Sequence, residues 1–465
     1  MSAGTNAPGT GLNAVEELGV RGATEPVPAK ASVRSHRTGH QKRAGEVAEA
    51  IRPLVESLLG SRIPVRFEFW DGSGLGVMDG PGTVRVHSVD AIRRIVWAPG
   101  ELGLSRAYVA GDIDVEGDLF GVLRVLRDAG SVDLREVGVT MIRRLIPTAL
   151  RFGLTSLPPR PPGEEARPVG RMHSRSRDAQ AISHHYDVGN DFYRLILGSS
   201  MTYSCARFVE EGMTLRTAQE AKHELICRKL RLDAVREQTL LDVGCGWGSL
   251  ALHAATHHGA QVVGITLSRA QAELARQRVS EAKLEDRIEI RLQDYRDLPK
   301  DRFDAIASVG MFEHVGSVRT REYFESLWER LAPGGRFLNH AISTPGGSKI
   351  GSRSFIGRYV FPDGELIDVG EVVLAMQRSG FEVRDLESLR EHYSATLHAW
   401  VDNLTAHWDQ AVALVGSARA RVWLLYMTAS ANGFDDGGLA VHQVLGIRPA
   451  MGGRSGMPLT RNGWG

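Results

Sequence analysis

The chain has 465 residues, 42% of them hydrophobic and 24% charged, which are ordinary values for a globular protein large enough for two domains and a linker. Its formal net charge is only +1, so overall charge gives no reason to expect a nucleic-acid partner. No run of about 18 apolar residues and no secretory leader is visible, so we expect neither a transmembrane helix nor export. Three cysteines without metal-type spacing, Cys205, Cys227 and Cys245, predict reduced thiols in a cytoplasmic protein and no metal site.

The first 45 residues are rich in Gly, Ala, Pro and Ser, which predicts a disordered tail. The tail carries a basic patch that either is simply solvated or is attracted to anionic lipid head groups. The patch consists of Lys30, Arg34, Arg37, Lys42 and Arg43.

Residues 46–133 are expected to form a smaller α+β accessory domain, in which no catalytic constellation is visible. Apolar residues at helical spacing predict a helix over 46–59, and the alternation in Val65-Arg-Phe-Glu-Phe69 predicts a strand. Two or three helices should follow and end in the apolar segment 119–126.

Residues 134–180 are expected to connect two domains. Within them, residues 137–154 mix apolar residues with arginines in a basic amphipathic pattern that Pro147 interrupts. This segment either lies on a membrane surface or packs between the domains. Four prolines between positions 158 and 162 then predict a stiff linker.

The remaining domain, residues 181–455, contains a nucleotide-binding signature, Thr239-Leu-Leu-Asp-Val-Gly-Cys-Gly-Trp-Gly-Ser249. A short apolar strand runs into a glycine-rich turn that lets a ligand lie against bare backbone, and a helix follows at once. The G-x-G-x-G spacing is not that of dinucleotide enzymes, and no Lys-Ser/Thr follows it. The turn therefore favours an adenosyl group without a pyrophosphate, as in S-adenosylmethionine, although an ordinary βα turn has the same pattern.

Strands and helices alternate after this motif, which predicts a doubly wound, mostly parallel sheet with ligands at the carboxyl ends of its strands. Helices are expected over 269–284 and 320–331, and a Pro333-Gly-Gly turn before the fifth strand. Strands are expected over 261–266, 287–293, 303–309 and 336–342.

Five motifs in this domain resemble, in order, those of the cyclopropane-fatty-acyl-phospholipid synthase family, which includes mycolic acid methyltransferases. The resemblance covers about residues 180–450 and implies a class I S-adenosylmethionine-dependent methyltransferase fold. The first domain resembles the accessory domain of the longer synthases. The motifs are His184-His-Tyr-Asp-Val-Gly-Asn-Asp-Phe-Tyr193, Met201-Thr-Tyr-Ser-Cys-Ala206, Leu241-Asp-Val-Gly-Cys-Gly-Trp-Gly248, Leu292-Gln-Asp-Tyr-Arg-Asp297 and Ser308-Val-Gly-Met-Phe-Glu-His-Val-Gly316.

The resemblance implies which residues hold the methyl donor. The second strand ends in Thr266-Leu-Ser268, where most such enzymes place an acidic residue for the ribose, so hydroxyl groups and Gln271 must serve instead. The implied cofactor residues are Tyr203, Ser204, Asp242, Gly244, Gly246, Leu267, Gln271, Asp294 and Tyr295.

The resemblance also implies a bound bicarbonate ion. Taken singly, its ligands have plainer interpretations: a buried small thiol, a helix cap, a core histidine and an interface tyrosine. Together they match the motifs that build one site. The implied ligands are Cys205 through its main chain, Glu313, His340, Ile342 and Tyr393.

The implied substrate is a cis double bond in an unsaturated, oleoyl-type phospholipid acyl chain, met by a peripheral protein at the inner face of the membrane. Methyl transfer to an alkene leaves a carbocation, which needs a dry site and is stabilised by aromatic faces. Candidates for those faces are Phe192, Tyr193, Phe312, Tyr359 and Phe361.

Loss of a methyl proton with ring closure gives a cyclopropane, whereas a hydride shift first gives a methylene branch. The family's common Phe-Arg pair is replaced here by Phe434-Asp435, and Tyr108-Val-Ala-Gly-Asp112 resembles the methylene-forming actinobacterial branch. We therefore expect a 10-methylene acyl chain, a precursor of tuberculostearic-type acids, and a separate reductase as partner. The alternative is a cyclopropane synthase.

Two more distant alternatives remain at this stage. One is a methyltransferase for a soluble nitrogen or oxygen nucleophile, which needs no bicarbonate. The other is a lipid-binding protein with a degenerate catalytic domain, which the intact bicarbonate ligands disfavour. A homodimer would help to grip a membrane, although no motif specifies the oligomeric state.

Overall fold

The computed structural model describes residues 46–129, 157–166, 170, 174–175, 177, 185, 188–233, 235–351 and 353–462. The predicted basic tail and the amphipathic segment 137–154 lie outside these residues. Within the described part of the chain, no helix is long and apolar enough to cross a membrane.

Residues 46–129 form a four-stranded sheet with helices packed against it. The predicted first helix and first strand are confirmed, and three helices follow as expected. The other three strands are short and were not predicted. The elements are α1 (Glu46–Leu59), β1 (Arg66–Phe69), β2 (Gly74–Leu75), β3 (Gly82–Val86), α2 (Val89–Trp97), α3 (Glu101–Val109), β4 (Ile113–Gly117) and α4 (Leu119–Ala129). The order in the sheet is β2-β1-β3-β4, with β1 and β3 parallel.

The second part of the chain is built on a seven-stranded sheet. Five of its strands were predicted, two of them with the observed bounds and the others within a few residues, whereas its two antiparallel strands were not predicted. The strands are β5 (Thr239–Val243), β6 (Gln261–Thr266), β7 (Ile288–Leu292), β8 (Phe303–Val309), β9 (Leu331–Ser343), β12 (Glu382–Ser388) and β13 (Ala440–Ile447), while β10 (Ser348–Lys349) and β11 (Glu365–Leu366) form a separate small ribbon.

Helices cover this sheet and extend beyond one end of it. They are α5 (Asn190–Leu197), α6 (Leu215–Leu230), α7 (Ser249–His258), α8 (Arg269–Glu281), α9 (Thr320–Arg330), α10 (Phe355–Tyr359), α11 (Val369–Arg378), α12 (Arg390–Ala406), α13 (Trp408–Val415) and α14 (Ser417–Asp435).

The strand order is β12-β13-β9-β8-β5-β6-β7. The five strands from β9 to β7 run parallel, and β13 and β12 complete the sheet in antiparallel pairs. The order reverses at β5, which places a crevice at the carboxyl ends of β5 and β8, as parallel sheets with a switch point require.

The predicted turn at Pro333 does not precede the fifth strand but lies inside it. Phe303 pairs with Leu331 and Ala305 with Arg336, so the residues between 331 and 336 bulge from the β8–β9 ladder. Gly334 takes φ +83 within that bulge. The strand therefore begins earlier than the hydrophobic pattern suggests.

One hydrophobic cluster extends across the two parts of the chain, while most of the first domain packs around a cluster of its own. Leu102 and Tyr108 of α3 belong to the same buried cluster as Trp400 and Trp423 of the catalytic domain. Arg421 of α14 donates hydrogen bonds to the carbonyl groups of Tyr108 and Ile113, each at 3.3 Å. The linker also contacts the first domain, because Arg106 of α3 forms a bidentate ion pair with Glu165 of the linker at 2.7 and 2.9 Å.

Candidate active site

A cavity of about 950 Å³, counting the solvent at its mouth, opens at the carboxyl ends of β5, β6 and β8. Segments from before β5 close one wall, and the turn after β8 closes another. Of the predicted cofactor residues, the cavity is lined by Tyr203, Ser204, Asp242, Gly244, Gly246, Leu267, Gln271 and Tyr295.

The glycine turn holds the strand β5 against β6 and then starts α7. The backbone N–H groups of Gly244 and Cys245 both donate to the carbonyl of Ile265, at 3.0 and 2.9 Å. Gly244 has φ +79, and a Cβ placed there would lie 3.0 Å from Cβ of Met311. A side chain at this position would therefore be strained and crowded, which explains the glycine.

The end of β6 has no acidic side chain, and its hydroxyl groups are used for local structure. Ser268 caps α8 by accepting a bond from the Gln271 N–H at 3.2 Å. The Thr266 hydroxyl donates to the side-chain oxygen of Gln271 at 2.8 Å. This bond fixes the buried Gln271 amide at the cavity wall, where its polar group can meet a ribose.

The cavity also contains a buried lysine and aspartate that the sequence motifs did not reveal as a pair. Lys222 of α6 donates to the Ser204 hydroxyl at 2.8 Å. Burial lowers the pKa of Lys222 to about 7 and raises that of Asp242 to about 7. One Asp242 carboxylate oxygen is buried without a protein partner among the described residues. The sequence held one signal for this pair, which is that Lys222 stands at helical spacing from the apolar residues Leu225 and Ile226 of α6.

Asp294 lies beside the cavity but does not line it. Its carboxylate forms an ion pair with Arg296 at 2.5 Å and accepts a bond from the Arg296 N–H at 2.9 Å, which caps a short 3-10 helix. The neighbouring side chains Gln293 and Tyr295 reach the cavity instead.

Glu313 lies in another short 3-10 helix, Phe312–His314, directly after β8. One of its carboxylate oxygens accepts a bond from the Ile342 N–H of β9 at 2.7 Å, so these two predicted residues are in contact. The other oxygen is buried with no partner among the described residues. Burial raises the pKa of Glu313 to about 7, and the Ile342 bond partly offsets that effect.

His340 lies two residues before Ile342, so both are on the same face of β9. Its Nδ1 is 3.2 Å from the side-chain nitrogen of Gln443 on the paired strand β13. Burial lowers the pKa of His340, which keeps the ring neutral. With Nδ1 accepting from Gln443, the single ring proton is on Nε2, and that nitrogen is buried without a partner among the described residues.

Cys205 and Tyr393 meet at the carbonyl group of Leu389. This oxygen accepts the backbone N–H of Tyr393 at 3.1 Å and the thiol of Cys205 at 3.6 Å. Leu389 is in turn bonded to Val441, which lies opposite Ile342 in the β9–β13 ladder. These contacts link Cys205, Tyr393, Ile342 and Glu313 along this end of the sheet.

Aromatic side chains from three helices and from the segments between elements pack together beside these residues. Tyr203 packs 5.1 Å from Trp400 and donates its hydroxyl to that of Tyr426 at 3.0 Å. Tyr193 lies 4.7 Å from Trp247 and 5.2 Å from Trp423. We call the set the aromatic chamber, and it consists of His185, Tyr193, Tyr203, Trp247, Phe361, Trp400, Trp423 and Tyr426.

Only part of the aromatic set proposed from the sequence lies in or beside this chamber. Phe192 stands edge-on to Trp423, and Tyr193 and Phe361 belong to the chamber. Phe312 packs instead with Tyr323 in a different core cluster. Trp400 and Trp423 were missed because they occupy helical positions that are typical of an ordinary core.

Residues 173–444, more than half of the chain, match the family model described as mycolic acid cyclopropane synthetase. The chain is 41% identical over 411 residues to the probable fatty acid methyltransferase Rv3720 of Mycobacterium tuberculosis, which covers 85% of this chain and 94% of that protein. It is 34% identical over 421 residues to the tuberculostearic acid methyltransferase UfaA1 of the same organism, covering 87% and 93%.

The fold is also that of a solved structure, the mycolic acid cyclopropane synthase CmaA1 complexed with SAH and CTAB. The two chains are 33% identical with a TM-score of 0.55, over 58% of this chain and 98% of the other. The predicted class I methyltransferase fold is confirmed, and so is an S-adenosylmethionine-dependent enzyme that modifies fatty acyl lipids by methylation or cyclopropanation. The chain belongs to the mycolic acid cyclopropane synthetase family.

Proposed function

We propose that this enzyme transfers a methyl group from S-adenosylmethionine to the cis double bond of an unsaturated phospholipid acyl chain and releases a 10-methylene-branched chain. One observation carries the proposal. Next to the aromatic chamber, Glu313 and His340 each hold a buried polar atom with no partner among the described protein atoms. A soluble amine or phenol substrate would require neither the chamber nor this pair.

The cavity at the glycine turn suits the methyl donor, whose sulfonium makes the methyl group electrophilic enough for an alkene. Lys222 and Asp242 bring one basic and one acidic group to the cavity, which complements the zwitterionic amino-acid part of the donor. Gly244 and Gly246 leave room for its flat adenosine part. The proposed cofactor residues are those that line the cavity, with Asp294 fixing the segment that carries Tyr295.

We place the reacting part of the acyl chain against the aromatic chamber. Methyl transfer to one alkene carbon leaves positive charge on its neighbour, and water would quench that charge. Tyr193, Trp400 and Trp423 are almost fully buried, so they exclude water, and their faces attract a cation. The chamber therefore supports carbocation chemistry rather than transfer to nitrogen or oxygen.

Glu313 and His340 are the residues that would hold a bicarbonate ion. The free Glu313 oxygen can accept a hydrogen bond from the hydroxyl group of the ion, and His340 can donate its Nε2 proton to an oxygen of the ion. Bicarbonate, when bound, would supply the base that removes the proton. Tyr393 and the main chain of Cys205 would complete the cage, and Ile342 holds Glu313 in place at 2.7 Å.

The preference for a methylene product depends on the region around Asp435. This carboxylate accepts a hydrogen bond from Ser394, the neighbour of Tyr393, and forms an ion pair with Arg124 of the first domain at 3.2 Å. A basic residue at position 435 would reverse the charge at that junction. The similarity to a tuberculostearic acid methyltransferase supports the same preference.

The substrate places the enzyme at a lipid surface. Because no described helix can span a bilayer, we propose peripheral contact with the inner face of the membrane. A methylene branch would need a separate reductase to become a methyl branch, which makes such an enzyme the expected functional partner. A homodimer would double the membrane contact.

The test uses purified protein, methyl-labelled S-adenosylmethionine, bicarbonate and vesicles of dioleoyl phospholipid. We expect the label in the acyl chain, and fragmentation in the mass spectrometer should place it as a methylene branch. Ring fragments would select the cyclopropane alternative. Labelling confined to soluble amines or phenols would overturn the proposal.

A further inference from the structure

Helices α6 and α7 bring together a cysteine and two histidines away from the bicarbonate pair and the aromatic chamber. The thiol of Cys227 and the imidazoles of His253 and His258 have donor atoms that all lie within 4.8 Å of one another. Cys227 is fully buried, and only about an eighth of each histidine side chain is exposed. The spacing of the cysteines did not predict this cluster, because its members come from two helices.

A carboxylate belongs to the same cluster. One oxygen of Glu224 lies 3.2 Å from Nε2 of His253 and 2.9 Å from Nε2 of His258. The other oxygen accepts a bond from Arg228 at 2.7 Å, which holds the carboxylate in this orientation. A single anionic oxygen thus faces two imidazole nitrogens.

The hydrogen bonding of His258 makes its Nε2 available to a cation. Its Nδ1 is 2.9 Å from the carbonyl oxygen of Leu232, which can only accept, so Nδ1 carries a proton. When the ring is neutral, Nε2 holds the lone pair, and a cation placed between it and the Glu224 oxygen, which lies 2.9 Å away, would bind both atoms. A backbone carbonyl that orients a histidine in this way is the usual outer support of a metal ligand.

We infer that Cys227, His253, His258 and Glu224 bind one zinc ion. A thiolate and two imidazoles favour zinc over hard cations such as magnesium, and four protein ligands make a closed structural site. The thiol releases its proton to solvent as the metal binds. The charges of the thiolate and the carboxylate then balance the two positive charges of zinc, so the half-buried site is neutral.

The position of this site suggests what zinc would do. On α6, Lys222 and His223 line the donor cavity, and on α7 so do Ser249 and Leu250. Zinc would tie the two helices together behind the cavity wall. This role is separate from the proposed reaction, so either proposal can fail without the other.

The first experiment measures metal content. Purified full-length protein is reduced, stripped with a chelator, incubated with zinc chloride and dialysed, and zinc is then counted by mass spectrometry. We expect about one zinc ion per chain. Cys227→Ser and His253→Asn should lose most of it, whereas His257→Asn, on the same helix but outside the cluster, should retain it. No zinc in the parent protein, or equal zinc in all variants, would overturn the inference.

A second experiment needs no variant and so does not depend on variant folding. Cobalt(II) replaces zinc in the stripped parent protein, and its absorption spectrum reports geometry and ligands. We expect the visible absorption of tetrahedrally coordinated cobalt(II), together with a thiolate-to-cobalt charge-transfer band in the near ultraviolet. An octahedral spectrum without that band would contradict the site.

Discussion

The donor cavity and the aromatic chamber are adjacent, but the chain builds them by different means. The cavity is shaped largely by backbone, at the ends of parallel strands and at the positive φ of Gly244. The chamber is shaped by side chains on α5, α12 and α14, which are far apart in the sequence. A backbone turn can be recognised from a short sequence motif, whereas the packing of helices that are distant in the sequence cannot.

The two regions also differ in their electrostatics. The cavity offers one basic and one acidic group to a charged ligand. Burial brings the pKa values of both Lys222 and Asp242 to about 7. The chamber has aromatic faces and, at its border, the Glu313 and His340 atoms that have no partner within the described part of the chain. Changes in the donor cavity should therefore affect donor binding, and changes in the aromatic chamber or at its border should affect turnover.

The largest difference between the effect on turnover and the effect on donor binding is expected from Glu313→Gln. The amide keeps the shape but loses the negative charge that orients the base, so turnover should fall about 10²- to 10⁴-fold. Binding of S-adenosylmethionine, measured by calorimetry, should stay near normal. The matched control is Glu365→Gln, because Glu365 is also buried and also accepts a backbone bond, from Ser317 at 2.7 Å. Equal losses in both variants would remove Glu313 from the chemistry.

Gly244→Ala should give the reverse pattern. A residue with a Cβ at positive φ costs about 1–3 kcal/mol, and the contact with Met311 adds to it, so donor affinity should fall about tenfold to a hundredfold. Gly334→Ala is the control, since Gly334 also has positive φ but lies in the β8–β9 bulge. If both variants bind the donor equally well, the turn does not shape the cavity as described.

The pH dependence of turnover should reflect the chamber side of the site. Because burial raises the pKa of Glu313 to about 7, its carboxylate form increases as pH rises through 7, and turnover should rise with it at fixed bicarbonate. The low remaining activity of Glu313→Gln should lack this step. A parent profile that is flat around pH 7 would contradict the ionised role of Glu313.

The same pKa has a consequence for stability with a defined sign. The folded value lies above the ordinary 4.5, so Glu313 holds its proton more tightly in the folded state. Its contribution to the free energy of unfolding is complete below pH 4.5 and is lost as pH rises to about 7. Denaturant titrations of Glu313→Gln should lack that loss, and an unchanged pH dependence would argue against the shift.

The smallest effect is expected from Arg124→Ala at the junction between the domains. Its ion pair with Asp435 is partly exposed, so the free energy of unfolding should fall by less than about 1 kcal/mol. KM for lipid should change more than donor affinity, because Asp435 also bonds Ser394 beside Tyr393. Arg321→Ala removes a comparable exposed ion pair on α9 and should change neither KM for lipid nor donor affinity.

Much of the fold was predictable because the hydrophobic pattern of buried parallel strands is strong. Strands β6 and β8 have the predicted bounds, and the order of motifs identified the methyltransferase class. The strands β2 to β4 were missed because they are short and rich in glycine. The start of β9 was misplaced because Pro333 and the glycines after it read as a turn although the chain continues in the sheet.

The site was predictable where function depends on sequence neighbours. The bond between Glu313 and Ile342 joins two predicted residues, but the sequence did not show that one carboxylate oxygen would have no partner among the residues that the structure describes. Lys222 was missed because a lysine on a helix usually faces solvent. The cluster of Cys227, His253 and His258 depends on how α6 lies against α7, which no spacing along the chain reveals.

The hydrophobic core that α3 shares with α12 and α14 bears on how the molecule unfolds. Removing the first domain would expose Trp423 and its neighbours to water, so the rest of the chain would lose part of its own interior. The first domain also has a hydrophobic cluster of its own, but because the other cluster crosses the junction, we expect the two domains to melt together. Calorimetry should therefore show a single cooperative heat-absorption peak, and residues 181–455 expressed alone should aggregate.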